Sequence, residues 1–175
     1  MPAYSRINVD LLTDTHRISC RLEAGNLGII GVLNDVTTSV FQVEDAYISR
    51  LQQPAKIIEH RPVVNIAKAT LSLALIGRRE EIGPQGLARG GYTQMVPLTV
   101  LITTTAFEIH CNLELPGKLD AGALLAGGTG KYILAYKATI IATTKSEIPY
   151  TSEVLIINRQ LVETVAPDQG GKTGV

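Results

Sequence analysis

The chain has 175 residues, with 16 basic side chains against 16 acidic ones, so no whole-chain field exists to gather nucleic acid or anionic lipid. Only 18% of residues are charged while 45% are hydrophobic, and an average globular protein carries about 25% charged residues. No apolar run approaches the roughly 20 residues that span a bilayer, so the chain is expected to cover part of its apolar surface with other copies of itself or with a protein partner.

Met1 to Arg6 has no apolar stretch of the kind a secretion signal needs, so a cytoplasmic protein is expected. Two-residue alternation then begins. Ile18, Cys20 and Leu22 read as one face of a half-buried strand. Gly28 to Asp35 crowds Ile29, Ile30, Val32 and Leu33 into the one plausible helical turn. Val40 to Ile48 predicts a second strand with Phe41, Val43 and Tyr47 on one side, and Val63 to Ile76 a longer one. Gly77 to Thr93 has no apolar period and many glycines, so residues 78–94 read as a Gly/Arg-rich linker. Val100 to Thr105 is rich in β-branched residues and Thr, as strands are. Leu98 to Ile102, Ile133 to Ile141 and Val154 to Ile157 are apolar with little polar alternation. Residues 167–175 read as a tail that is disordered or held by a partner.

An internal echo organises these elements. Ile18-Ser19-Cys20-Arg21-Leu22-Glu23 returns as Ile109-His110-Cys111-Asn112-Leu113-Glu114, and Thr13 to Glu23 matches Thr104 to Glu114 at five of eleven positions. Further on at the same offset, Phe41 falls on Tyr132, Val63-Val64 on Val154-Leu155, Ile66 on Ile157 and Lys68 on Arg159. The inward residues match while the outward ones diverge. The chain is therefore expected to be all-β, two tandem small antiparallel β-barrel or sandwich repeats related by internal pseudo-symmetry. The first spans 1–77 and the second 95–166.

No set of residues assembles a catalytic centre. Both cysteines alternate with aliphatics and read as small buried hydrophobes. His16, His60 and His110 share no metal-ligand spacing; His16 and His110 fall near strand starts and His60 in a loop before Arg61-Pro62. Ala166 to Thr173 satisfies a loosened phosphate-loop pattern but lacks the helix that should follow it. Gly127-Gly128-Thr129-Gly130-Lys131 reads as a hairpin turn. The acids Glu23, Glu44, Asp45, Glu114 and Asp120 are scattered. No catalytic, metal or cofactor residues are assigned.

Two resemblances add to this. Arg17 and Arg21, followed by Asp35-Val36-Thr37-Thr38-Ser39, resemble the motifs of PilZ domains, small β-barrels that bind cyclic di-GMP. That resemblance implies a nucleotide site at Arg17, Arg21 and Asp35, where paired guanidinium groups clasp phosphate and guanine. The chain departs from the family pattern where Thr37 replaces a serine and Val40 a glycine. The second repeat has Glu108 and Asn112 in place of the arginines. Val32 to Asp35, Phe41 to Ala46, Val63 to Asn65 and Val154 to Arg159 resemble a family of small β-barrel domains of uncharacterised function, which implies a fold and no activity.

The sequence thus favours a non-enzymatic structural or assembly protein without cofactors: a homo-oligomer such as a ring, tube or filament, or a subunit of a larger complex. A degenerate PilZ-like cyclic-dinucleotide sensor is the alternative. An Sm-like or OB-like RNA binder ranks lower, because the chain lacks interleaved basic and aromatic residues.

Overall fold

Alternation sets the strands. In His16–Leu22 the side chains of Ile18, Cys20 and Leu22 are buried while Arg21 is exposed. A computed structural model describes residues 6–87, 94–126, 130–144 and 148–168. Its strands are β1 (Ile7–Leu12), β2 (His16–Leu22), β3 (Val40–Arg50), β4 (Gln53–Ala67), β5 (Leu73–Ile76), β6 (Val96–Thr104), β7 (Phe107–Leu115), β8 (Tyr132–Ala142), β9 (Tyr150–Asn158) and β10 (Val162–Pro167). All pair antiparallel in one ten-stranded sheet of order β10-β6-β7-β8-β9-β5-β1-β2-β3-β4. The all-β expectation holds. Residues 7–76 and 96–167 do not form two detached sheets: β5 and β9 join them, pairing Leu73 with Ile157 and Ile76 with Val154.

This seam divides two cores. Successive side chains of a strand point to opposite faces. On β5, Ala74 and Ile76 enter one cluster with Ile7, Val9, Leu11 and Phe41, whereas Leu73 and Leu75 enter another with Phe107, Ile109 and Ile140. On β9, Val154 and Ile156 join the first cluster, and Leu155 and Ile157 the second. All four of these β9 residues are at most 1% exposed. The apolar run Val154 to Ile157, read from the sequence as surface for a partner, is thus spent inside the chain. A strand covered on both faces has no polar side to alternate with.

Three local departures from the sequence reading have plain causes. The strand expected over Val63 to Ile76 is two strands, split by a 3-10 turn at Lys68–Thr70. His60 lies within β4, paired with Tyr47, and not in a loop. The linker is partly built: a 3-10 turn at Arg79–Ile82 and a short helix at Pro84–Leu87 follow β5. Ile82 is fully buried there, because the segment packs on helix α1 (Gly28–Asn34). Gly28 and Gly83 take φ of 67° and 92°, and a Cβ on either would overlap the other's backbone. Residues 88–93 of the linker, 127–129 of the glycine-rich turn and 169–175 of the tail lie outside the described residues. Pro167 belongs to β10, and Asp168 donates its N–H to Thr99 O at 2.9 Å.

Candidate functional site

A polar row crosses the solvent face of β1 to β4. Strand register sets Asp10 beside Ser19, Ser19 beside Tyr47 and Tyr47 beside His60. Asp10 takes an outward position of β1, between the inward Val9 and Leu11. Its carboxylate accepts the Ser19 hydroxyl and, at 2.8 Å, Arg17 Nη2. The Arg17 guanidinium also lies 5.7 Å from the centre of the Tyr150 ring.

A second group stands beside this one. The β2–β3 ladder slips between Ser19 and Arg21, and Asp45 sits at the slip with φ of 50°. That turn lets one carboxylate meet two partners: Arg21 Nη2 at 3.0 Å and His60 Nε2 at 2.7 Å. The His60 hydrogen bond, and then the Arg21 charge, hold the Asp45 carboxyl below its usual range. His60 stacks on Tyr47 with ring centres 4.2 Å apart. Asp10, Ser19, Arg21, Asp45, Tyr47 and Ser152 line a cleft of ≈ 530 Å³ that reaches from this row to β5 and β9.

The residues singled out in the sequence are only partly brought together. Arg21 lines the cleft; Arg17 and Asp35 are not among its lining residues. Asp35 ends α1, where its carboxylate accepts the Thr37 hydroxyl at 2.6 Å and the Thr37 N–H at 2.9 Å. Those bonds hold its pKa below the usual value, with Lys68 adding a smaller pull. Each arginine is already paired with an acid, so an incoming phosphate would displace Asp10 or Asp45. Among the described residues no three of His, Cys, Asp or Glu are placed to hold a metal ion. Asp10 was not singled out from the sequence, and Tyr47, grouped there with Phe41 and Val43, turns instead to solvent beside His60. The readable signal was an acid on the outward side of β1, next in that series to Asn8; the rest depends on register.

The row holds its polar groups in pairs. Ser19 donates to a carboxylate that also holds Arg17, and the imidazole of His60 is bonded to Asp45. The cysteine thiols lie in separate cores, Cys111 away from the row and Cys20 buried at the floor of the cleft beside it. Burial, with the Asp10 charge adding to it, pushes Cys20 up to about 12, and burial pushes Cys111 up to about 12. Both stay protonated at neutral pH and make poor nucleophiles.

A separate cluster lies on β7 and β8. Arg79 reaches Glu114 with both terminal nitrogens, at 3.0 and 2.6 Å, and stacks 3.9 Å over the Tyr136 ring. Comparison with known proteins yields no match among protein-family models, curated proteins or solved structures.

Proposed function

We propose that this chain is a non-enzymatic assembly subunit, made of two tandem copies of one five-stranded unit, that builds a homo-oligomer or joins a larger complex. The observation that carries the reading is β4. It is a 15-residue edge strand, exposed over almost its whole length, with Ile57, Ile58 and Val63 at 56%, 42% and 47% exposure. A long edge with free backbone groups and apolar side chains is a template for another strand.

The tandem reading is supported by strand order and by matching details. Residues 7–76 run β5-β1-β2-β3-β4, and residues 96–167 run β10-β6-β7-β8-β9. The ladder slip between Ser19 and Arg21 has a counterpart between His110 and Asn112. Leu51 N–H donates to Thr15 O, as Thr143 N–H does to Ala106 O. Lys68 N–H donates to Ser39 O, as Arg159 N–H does to Lys131 O.

Sedimentation velocity over a hundredfold range of concentration, with negative-stain images, tests the assembly reading. Mass that grows with concentration supports it, and a strict monomer overturns it. The free thiols Cys20 and Cys111 agree with a reducing, cytoplasmic setting. Among the described residues no helix is long and apolar enough to cross a membrane. A second reading, a cyclic-dinucleotide sensor, is favoured by Arg21 at the cleft. Calorimetric titration with cyclic di-GMP, with Arg17→Ala as the control, tests it; absence of saturable heat removes it.

A further inference from the structure

We infer that copies of this chain join head to tail, β4 of one pairing antiparallel with β10 of the next, in the register already used inside the chain by β9 and β5. The inference rests on the assembly reading above and names the surfaces it uses.

The argument begins with the ladders. β3 and β8 are both 11 residues long; Val40 opposes Ala67 on the first, and Tyr132 opposes Asn158 on the second. Val63, Val64, Asn65 and Ile66 of β4 therefore hold the places of Val154, Leu155, Ile156 and Ile157 of β9. Leu12 opposes Leu73, and Thr103 opposes Thr164, so Thr164 to Pro167 of β10 hold the places of Leu73 to Ile76 of β5. Inside the chain the β9-type strand and the β5-type strand meet. At the two ends of the sheet, one strand of each type has a single neighbour among the described residues.

The free edges present the groups that such a seam needs. Asn158 donates its N–H to Ser72 O at 3.0 Å, so alternate residues, Ile156 and Val154, turn their backbone groups toward β5. At the same offset Ala67, Asn65 and Val63 turn theirs to open solvent. On β10, Asp168 donates inward to Thr99 O, so Val165 faces the open edge. The own-core side chains are conserved in kind: Val64 pairs in type with Leu155, Ile66 with Ile157, and Val165 with Ala74. Each is packed against its own cluster.

The seam between chains is weaker than the one within. Asn65 stands where Ile156 is buried, and Thr164 and Ala166 stand where Leu73 and Leu75 are buried. Pro167 has no N–H to offer at the place of Ile76. Less apolar area and one donor fewer make the contact reversible and concentration-dependent. Because the surfaces differ, a first contact leaves one β4 and one β10 free, so growth continues to a ring or a filament.

Val63 and Ala166 are exposed, so Val63→Lys and Ala166→Lys each block one edge without touching a core. Sedimentation velocity of wild type, of each variant and of their 1:1 mixture is the test, with circular dichroism melts to check folding. Asn65→Lys and Thr164→Lys are the replacements if either melt collapses. The expected result is concentration-dependent mass for wild type and association weakened about tenfold or more in each variant. Their mixture, which still has one intact β4 and one intact β10, gives a dimer and nothing larger. Wild-type growth that both variants share overturns the edge pairing and leaves the assembly reading standing. Weakened variants whose mixture forms no dimer overturn the head-to-tail geometry. A wild type that stays monomeric overturns both.

Discussion

Asp45 and Lys137 adopt one backbone conformation, with φ of 50° and 49°, at matching places in the two strand arrays. Each lies where a central ladder slips, β2 against β3 and β7 against β8. A non-glycine residue in this region carries roughly 1–2 kcal/mol of strain. Glycine removes that but adds about 0.5–1 kcal/mol of chain entropy. Lys137 is exposed, so Lys137→Gly is expected to leave stability unchanged or raise it by up to about 1 kcal/mol. Lys137→Val is expected to lower it by about 1–2 kcal/mol. Asp45→Gly should behave differently from Lys137→Gly, because it also removes the partners of Arg21 and His60. Urea unfolding of the four proteins checks this, and equal effects of Val and Gly at position 137 would contradict it.

Gly83 is the point where the segment after β5 docks on α1. A Cβ there would overlap Leu27 O and Gly28 Cα, and φ is 92°. Gly83→Ala therefore meets backbone on one side and a disfavoured conformation on the other, and should cost about 2 kcal/mol or more. Gly77, with open space around its Cβ position, is the control: Gly77→Ala should cost far less. Thermal melts of the two variants give the comparison.

The buried thiols give stability a pH dependence. Burial holds their folded pKa at about 12, above the ordinary thiol value of 9.0. Below pH 9 both states hold the proton and the contribution is complete. Between pH 9 and pH 12 the unfolded chain releases protons that the folded chain keeps, so stability falls as pH rises, on the order of a few kcal/mol per thiol across that window. Burial raises Tyr132 and, less completely covered, Tyr150 also, and both act in the same direction. A Cys20→Ala/Cys111→Ala double variant should therefore show a shallower decline than wild type in urea titrations at pH 8 to 11. At pH 8 a thiol reagent should label native protein slowly and urea-unfolded protein fully.

Arg79 links the segment after β5 to the second array through a forked contact with Glu114 and a stack on Tyr136. Arg79→Lys keeps the charge and loses the fork and the flat stacking surface. The guanidinium is 43% exposed, so solvent screens the pair and the expected loss is only about 1 kcal/mol. A double-mutant cycle with Glu114→Gln isolates the coupling. If Lys restores full stability at low salt, charge alone accounts for the contact.

Strand content, the helix at Gly28 to Asn34 and the burial of both cysteines were legible because each rests on local alternation. The split at Lys68–Thr70 was not: its one trace is that the inward positions change from even, Val64 and Ile66, to odd, Leu71 and Leu73, and the apolar run that follows covers that shift. The docking of Ile82 was hidden by the charged and glycine-rich residues around it, which read as linker. The seam was hardest: Leu73 meets Ile157 across nearly half of the chain, and no short-range period encodes a partner that distant. Its trace was the unbroken apolar run of Val154 to Ile157, which marks two-sided burial and was assigned to a neighbour outside the chain. In the candidate site Arg17 and Arg21 were legible as a pair. Their acids, Asp10 and Asp45, came from other strands whose register the sequence does not print.

Because β5 supplies Leu73 and Leu75 to the core built around Phe107, and β9 returns Val154 and Ile156 to the core built around Phe41, neither core closes until both strands are present. A ribosome emits β5 long before β9. The first half must wait with two leucines uncovered, and folding is gated by the slowest, most distant pairing in the chain.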